Sequence, residues 1–338
     1  MRSVFNAPQP DFSIKEAAEI VHSHYRFSCT AEDLYSERDQ NFHIMAENGG
    51  EYILKISNPA EDQSALRMQI DCTKHIRDKD ADLNIPLTIK STTGKDIITM
   101  DKDGFTYYAR MVTFIPGIFL KDYAQSEDML FNLGAFMARL SRAMKGFEHP
   151  AASRKFAWNL SQDDFIQHFN QELKTEEERE IVQFFLHQAQ TYQMDHEKEI
   201  SWAVIHNDGN DHNILVNEQG EVTGIIDFGD MGYSYRAAEP AVAMAYVAIG
   251  AGDPLHCMGQ VLKGYHESFQ LSEKGLKFAI YLVCLRLSIS VTMAAYRKKL
   301  FPQNEYITVS EAPAWEFLRR MRHQILDQFS EDLYDLVC

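Results

Sequence analysis

The chain carries His206-Asn207-Asp208-Gly209-Asn210-Asp211-His212-Asn213 and then, after one apolar hairpin, Ile225-Ile226-Asp227-Phe228-Gly229-Asp230. Trp202-Ala203-Val204-Ile205 before the first stretch and Ile214-Leu215-Val216 after it are apolar, so a polar knot lies between strand-like runs. Asn217-Glu218-Gln219-Gly220 turns the hairpin. Phosphoryl transfer needs an acceptor-only side chain beside the attacking hydroxyl and oxygen ligands for a divalent metal on the phosphates. Asp208 fits the first role as catalytic base; Asn213 and Asp227 fit the second. His206 is expected to hold the loop backbone, and Gly229 to let the chain turn beneath the metal. Either motif alone is weak, but the two in this order, each ending a strand-like run, are specific. A metal-hydrolase reading through His206, Asp208, Asp211 and His212 lacks a distant His/Asp set at metal-binding spacing to complete it. A merely solvated loop is the plain alternative.

Bulk composition fits an ordinary soluble globular protein. The chain has 338 residues, 45% of them hydrophobic and 24% charged, enough for two lobes around substantial cores. A formal charge of −16 with no run of Lys or Arg argues against nucleic acid and anionic membranes as partners. The five cysteines are scattered without C-x-x-C spacing, which speaks against a disulfide framework or zinc and for a cytoplasmic setting. The first residues show no apolar segment of a secretory signal. The apolar stretch from Phe278 to Tyr296 carries Arg286 at its middle and is expected to be a buried helix.

Ser13-Ile14-Lys15-Glu16 predicts a capped helix to about Tyr25. Strands are expected from Asn41 to Glu47 and Glu51 to Ser57, a helix from Asp62 to Asp78, and strands from Asp96 to Met100 and Phe105 to Ile115. Beyond Ile115-Pro116-Gly117 helices dominate: Ser126 to Lys145, Ser161 to Leu173, Glu176 to Gln190, and from Ala237 to the end, with one β island over 202–228. The expected fold is α+β and two-lobed. Residues 1–114 would form a small β-rich, nucleotide-binding lobe, and 115–338 a larger helical lobe carrying the catalytic loop and the acceptor site. Chemistry is expected in the cleft between them. In Glu51-Tyr52-Ile53-Leu54-Lys55-Ile56, alternation puts Lys55 on the opposite face from Leu54, where it can reach phosphate oxygens; an ordinary strand lysine is the alternative.

Tyr-Ile-Leu-Lys on a strand, a Pro-Gly break, His-x-Asp-x-x-x-x-Asn-Ile-Leu-Val and Ile-Asp-Phe-Gly-Asp together resemble the aminoglycoside phosphotransferase/choline kinase superfamily, which has a protein-kinase-like fold. Ser36-Glu37-Arg38-Asp39-Gln40-Asn41-Phe42, Asn58-Pro59-Ala60 and the whole HNDGNDHNILV are most similar to its hydroxylysine kinase branch and to the kinase-like domain fused to some class-III aminotransferases. The resemblance spans about residues 8 to 330. It implies ATP or GTP as donor, Mg²⁺ as cofactor and a small hydroxyl compound as acceptor. It also implies phosphate contacts from Ser36, Arg38, Asn41 and Lys55, and purine contacts from the backbone of Met111, Val112 and Thr113.

Two departures stand out. The phosphate-covering turn has no glycine, and the helix after Lys55 offers Gln69 where the family pattern has a glutamate to pair with the lysine. They are the only support for a rival, non-catalytic nucleotide-binding module. The short run from Gly229 into a helix leaves no protein-docking segment, so the acceptor is expected to be small. Its contacts are expected from Asp230, Tyr233, Tyr235, Arg236, Glu239 and Arg286. For Arg286 a clamp on a substrate carboxylate competes with an internal ion pair. An amino alcohol or hydroxy-amino acid is the first choice, with aminoglycoside, homoserine or choline-type acceptors as alternatives. The oligomeric state is not legible.

Overall fold

In this computed structural model, residues 8–36, 38–300 and 311–338 are described. Glu37 of the phosphate-covering turn and residues 301–310 of the expected C-terminal helical run lie outside them. The chain divides between Pro116 and Gly117 into two compact units.

In the first unit the capping box forms as its sequence dictates: Ser13 Oγ accepts the N–H of Glu16, whose carboxylate accepts the N–H of Ser13. It opens α1 (Ile14–Tyr25), followed by β1 (Cys29–Leu34), β2 (Gln40–Ala46), β3 (Glu51–Ile56), α2 (Gln63–Lys79), β4 (Thr88–Ile89), β5 (Ile98–Lys102) and β6 (Phe105–Thr113). The strands form one antiparallel sheet in the order β1-β2-β3-β6-β4, with β5 also on β6. Sequence reading misses β1 because it is an edge strand with no buried residue, so it shows no apolar alternation.

Alternation sorts the two faces of the sheet. Phe42, Leu54 and Met111 stand in register across β2, β3 and β6 and join Ala17, Val21 and Tyr25 of α1 in the core. One residue away, Asn41, Lys55 and Arg110 stand in register and face the other way. The same register engages the backbone expected to meet the purine. Met111, Val112 and Thr113 end β6, where Val112 pairs with both Ile53 of β3 and Thr88 of β4. Met111 is buried in the core, and Thr113 exchanges bonds with Leu87. Sheet pairing engages backbone that a free linker would have offered.

The second unit contains β7 (Ile118–Phe119), α3 (Glu127–Met144), α4 (Asp164–Phe169), α5 (Glu176–Asp195), β8 (Trp202–Ile205), β9 (Ile214–Val216), β10 (Val222–Ile225) and β11 (Gly232–Tyr235). Helices α6 (Ala238–Ala248), α7 (Pro254–Ser268), α8 (Glu273–Leu300), α9 (Glu311–Arg322) and α10 (Leu326–Val337) complete it. The helix expected over 161–173 shrinks to α4, because Ser161 turns its hydroxyl to Asn159 Oδ1 instead of capping. The β island is two sheets: β10-β9-β7, and β8 paired with the later β11. Helix α8 is long and apolar enough to cross a membrane, yet 89% of its most apolar window is buried inside the protein, as in a core helix. The fold is α+β, a small antiparallel sheet region followed by a mainly helical one.

Candidate active site

Strand β8 delivers the chain into the polar loop with Ile205 buried, and the loop is then fixed atom by atom. His206 is fully buried. Its Nδ1 accepts the N–H of Asp208 at 3.3 Å, and its Nε2 donates to Ile226 O at 3.2 Å, so the ring ties the loop to the strand leading to Asp227. That tautomer requires a neutral imidazole, and burial pushes the pKa of His206 down to about 4. Asn207 adopts a left-handed φ of 67°. Its Nδ2 donates to Trp158 O and Asp230 O at 3.1 and 3.2 Å.

This turn presents Asp208, and three donors hold its carboxylate. Oδ1 accepts from Arg286 Nη2 at 2.7 Å and from Asn210 Nδ2 at 2.8 Å, while Oδ2 accepts from Asn213 Nδ2 at 2.7 Å. Burial raises its pKa to about 6 against the pull of Arg286, and the charges of Asp230 and Asp227 push the same way as burial. A carboxylate poised there suits a general base near neutral pH. Asn213 also donates to Asp208 O at 2.9 Å, so both hydrogen bonds use its nitrogen and leave its Oδ1 outside them. Asp227 has a left-handed φ of 61°, and its Oδ1 accepts the N–H of Gly229 at 3.1 Å. A non-glycine residue held in that region is a pattern found at functional sites.

The acceptor residues expected from sequence do not all meet here. Because β11 runs antiparallel to β8, Gly232 lies opposite Ile205 next to the loop, whereas Tyr233 pairs with Val204 and Tyr235 with Trp202. Each step carries the chain away from Asp208. Tyr233 stacks on Trp202, Tyr235 packs edge-on against Phe278, and Arg236 lies over Phe269. Tyr233 and Arg236 line a cavity of about 490 Å³ with Phe147, Trp202 and Phe269 instead. Glu239 is fully buried, with its carboxylate accepting the N–H groups of His206 and Asn207. Arg286 forms the internal ion pair, with Asp208 itself. Asp230 lies against the loop, its carbonyl oxygen accepting from Asn207 Nδ2.

In the first unit, Asp39 Oδ1 accepts the N–H of Asn58 at 2.9 Å, and Asn58 Nδ2 donates to Arg38 O at 3.2 Å. This pinning steadies the turn that carries Ser36 and Arg38 without a glycine. Gln69 Oε1 accepts from Arg110, the residue opposite Lys55 on β6. Sequence reading misses Arg110, and also Trp158 and Arg154, whose guanidinium donates to Gly229 O at 2.6 Å. Arg110 was legible as the residue of β6 facing away from the core. Trp158 and Arg154 lie in irregular chain, where periodicity offers no signal.

With this geometry in view, residues 33–273 match the model of the family described as "Phosphotransferase enzyme family". A hydroxylysine kinase of Mus musculus is 30% identical, the match covering 93% of this chain and 90% of that protein. A microcompartment-associated aminopropanol kinase superposes with a TM-score of 0.72 at 16% identity, covering 96% of this chain and 100% of that one. An amicoumacin kinase solved with AMP-PNP, Ca²⁺ and Ami gives 0.70 at 17% identity, covering 96% and 94%. At such identities the structural likeness speaks for the fold alone, and the sequence matches carry the family. The chain belongs to the phosphotransferase enzyme family and is a small-molecule kinase that phosphorylates a hydroxyl group.

Proposed function

We propose that this protein moves the γ-phosphoryl group of ATP or GTP to the hydroxyl of a hydroxy-amino acid or amino alcohol of the hydroxylysine type, with Mg²⁺ on the phosphates. The observation that carries this reading is the 2.7 Å hydrogen bond between Asn213 Nδ2 and Asp208 Oδ2, which sets the base beside a metal-binding amide. Asp208 takes the hydroxyl proton as the acceptor oxygen bonds to the γ-phosphorus. The bond from that phosphorus to the bridging oxygen breaks, and the nucleoside diphosphate leaves with the electron pair.

The donor atoms fit Mg²⁺. Asn213 and Asp227 offer two hard oxygen ligands, and an ion that keeps its waters and shares the phosphates needs no larger cage. Among the described residues no cluster of three or more His, Cys, Asp or Glu forms one. When bound, the ion neutralises charge on the phosphates. Lys55, Ser36, Arg38 and Asn41 hold the donor phosphates in this reading, with Arg110 adding positive charge opposite Lys55. Gln69 orients Arg110 without neutralising it. The first unit thus binds the donor, and the second carries the base, the metal ligands and the acceptor.

The acidic group Asp208, Asp227 and Asp230 suits an acceptor bearing an ammonium. A 30% identical match to a hydroxylysine kinase over 93% of the chain favours hydroxylysine over an aminoglycoside. The test is a panel of amino alcohols, hydroxy-amino acids and aminoglycosides, each assayed with ATP and GTP in Mg²⁺. Hydroxylysine or a close analogue should turn over fastest. Turnover of aminoglycosides alone would reject the acceptor class.

A further inference from the structure

We propose that Arg286 is the positioning residue of the base: together with Asn210 it anchors Asp208 Oδ1, so that Oδ2 is the oxygen that receives the acceptor proton. This rests on Asp208 being the base. Arg286 sits mid-way along the core helix α8 and is 2% exposed. A guanidinium in such a place is costly unless its donors are used. Nη2 donates to Asp208 Oδ1 at 2.7 Å and reaches Tyr246 Oη at 3.4 Å, while Nε and Nη1 are buried with no hydrogen-bond partner. An arginine kept only to stabilise the core would have those donors satisfied as well. This one makes its one short bond to the base.

The surroundings hold the guanidinium in that one pose. Its Cζ lies 4.8 Å from the centre of the Trp158 ring and 5.7 Å from that of Tyr246. Trp158 O in turn accepts from Asn207 Nδ2, so the wall behind Arg286 is tied to the loop that it serves. Two donors converge on Oδ1, and Asn210 is itself fixed by accepting the N–H of His212 at 2.8 Å. Oδ2 has the single Asn213 amide. The carboxylate is therefore locked in rotation with one oxygen saturated and the other turned to the metal-ligand side.

The experiment uses the full chain with R286K, R286M and R286A. R286M should lower kcat by about 100-fold, the low end of what a positioned base contributes, with KM for both substrates within about threefold. R286K should regain part of that loss, and guanidinium ion added to R286A should restore turnover. A rise in acceptor KM at unchanged kcat would make Arg286 a substrate clamp and overturn the proposal. So would a loss matched by R286K and untouched by guanidinium, the mark of a structural role. Crystal structures of R286K and R286M decide the matter without turnover: the Asp208 carboxylate should leave Asn210 in R286M and stay in R286K, and an unmoved carboxylate in R286M overturns the inference. If the wild-type protein turns over no acceptor in the panel, the acceptor reading fails, and the carboxylate geometry still judges this one.

Discussion

Glu239 accepts the backbone N–H of His206 at 2.7 Å from within the core of the second unit. Its other oxygen takes the N–H of Asn207 at 3.2 Å, and Asn207 is the residue held at left-handed φ. A chain turned that way points its N–H groups where no strand can meet them, and buried backbone donors need partners. The carboxylate supplies both bonds. Glu239 thus shapes the turn that presents Asp208 through the backbone and is itself fully buried.

Removing it should damage stability and rate together. E239A strands two buried N–H groups at about 1–3 kcal/mol each, so a loss on the order of 3 kcal/mol is expected. E239Q keeps one acceptor and should lose roughly half of that. Urea denaturation read beside kcat tests this. An E239A protein as stable as wild type would show that the loop is held by its other bonds.

Stability against pH should reveal two opposed groups. Burial holds Glu239 up to about 7 against an ordinary 4.5, so the native state binds that proton more tightly. Its contribution is full below 4.5 and is lost as pH rises to 7. Burial pushes His206 down to about 4 from an ordinary 6.5, so its contribution is full above 6.5 and is lost as pH falls to 4. Each is worth on the order of 3 kcal/mol at full development, and across their shared window they cancel. The wild-type Tm should therefore change little between about pH 4.5 and 6.5 on account of this pair. E239Q should make Tm climb with pH there, and H206N should make it fall. Parallel profiles for all three proteins would dismiss the pairing.

What the sequence revealed follows from the range of each signal. Asp208, Asn213 and Asp227 stand out as candidates because their spacing is local, set by one turn and one hairpin, and the structure joins the first two by a hydrogen bond. Lys55 stands out because strand alternation is local too. Arg286 and Glu239 were visible as charges in apolar helices, but their partners lie 78 and 33 residues away, and no pattern in the chain announces such pairings. Tyr233, Tyr235 and Arg236 do not gather at Asp208 for a related reason. Nearness to Asp227 in sequence suggested nearness in space, and the pairing of β11 with β8 carries them the other way. The engagement of Met111 and Val112 in a second pairing was not legible because it depends on β4, a strand of two residues too short to read.

On the proposed function, Asp208 and the pair Asn213 and Asp227 should separate in their effects. D208A should abolish turnover while nucleotide affinity stays within about threefold, since the base meets the acceptor proton and not the donor. N213A and D227N should raise the Mg²⁺ concentration needed for half-maximal rate by at least about tenfold. Titrating Mg²⁺ into the turnover assay at fixed nucleotide measures this. An unchanged Mg²⁺ requirement in both variants would remove Asn213 and Asp227 from the metal site, and undiminished turnover by D208A would end the mechanism.

The last prediction concerns how the helices hold the loop. Where α3 meets α7, a Cβ on Gly134 would fall 1.9 Å from Val261 O, and one on Gly264 would fall 2.0 Å from Phe131 O. Both obstacles are backbone, so no side chain can swing aside and the helices must part. Overpacking of this kind costs about 1–3 kcal/mol or more, so G134A and G264A should each lower Tm by several degrees. The effect should also reach catalysis. Met137 lies one turn on from Gly134 on α3, and its Cε would be 2.6 Å from a Cβ on Gly209, next to Asp208. Displacing α3 withdraws that support from the loop, so kcat should fall in G264A even at temperatures where the protein stays folded. G209A meets only the flexible end of Met137 and should cost less stability than either helix variant. Calorimetry and turnover on the three proteins check the order, and a G209A protein less stable than G134A and G264A would reverse it.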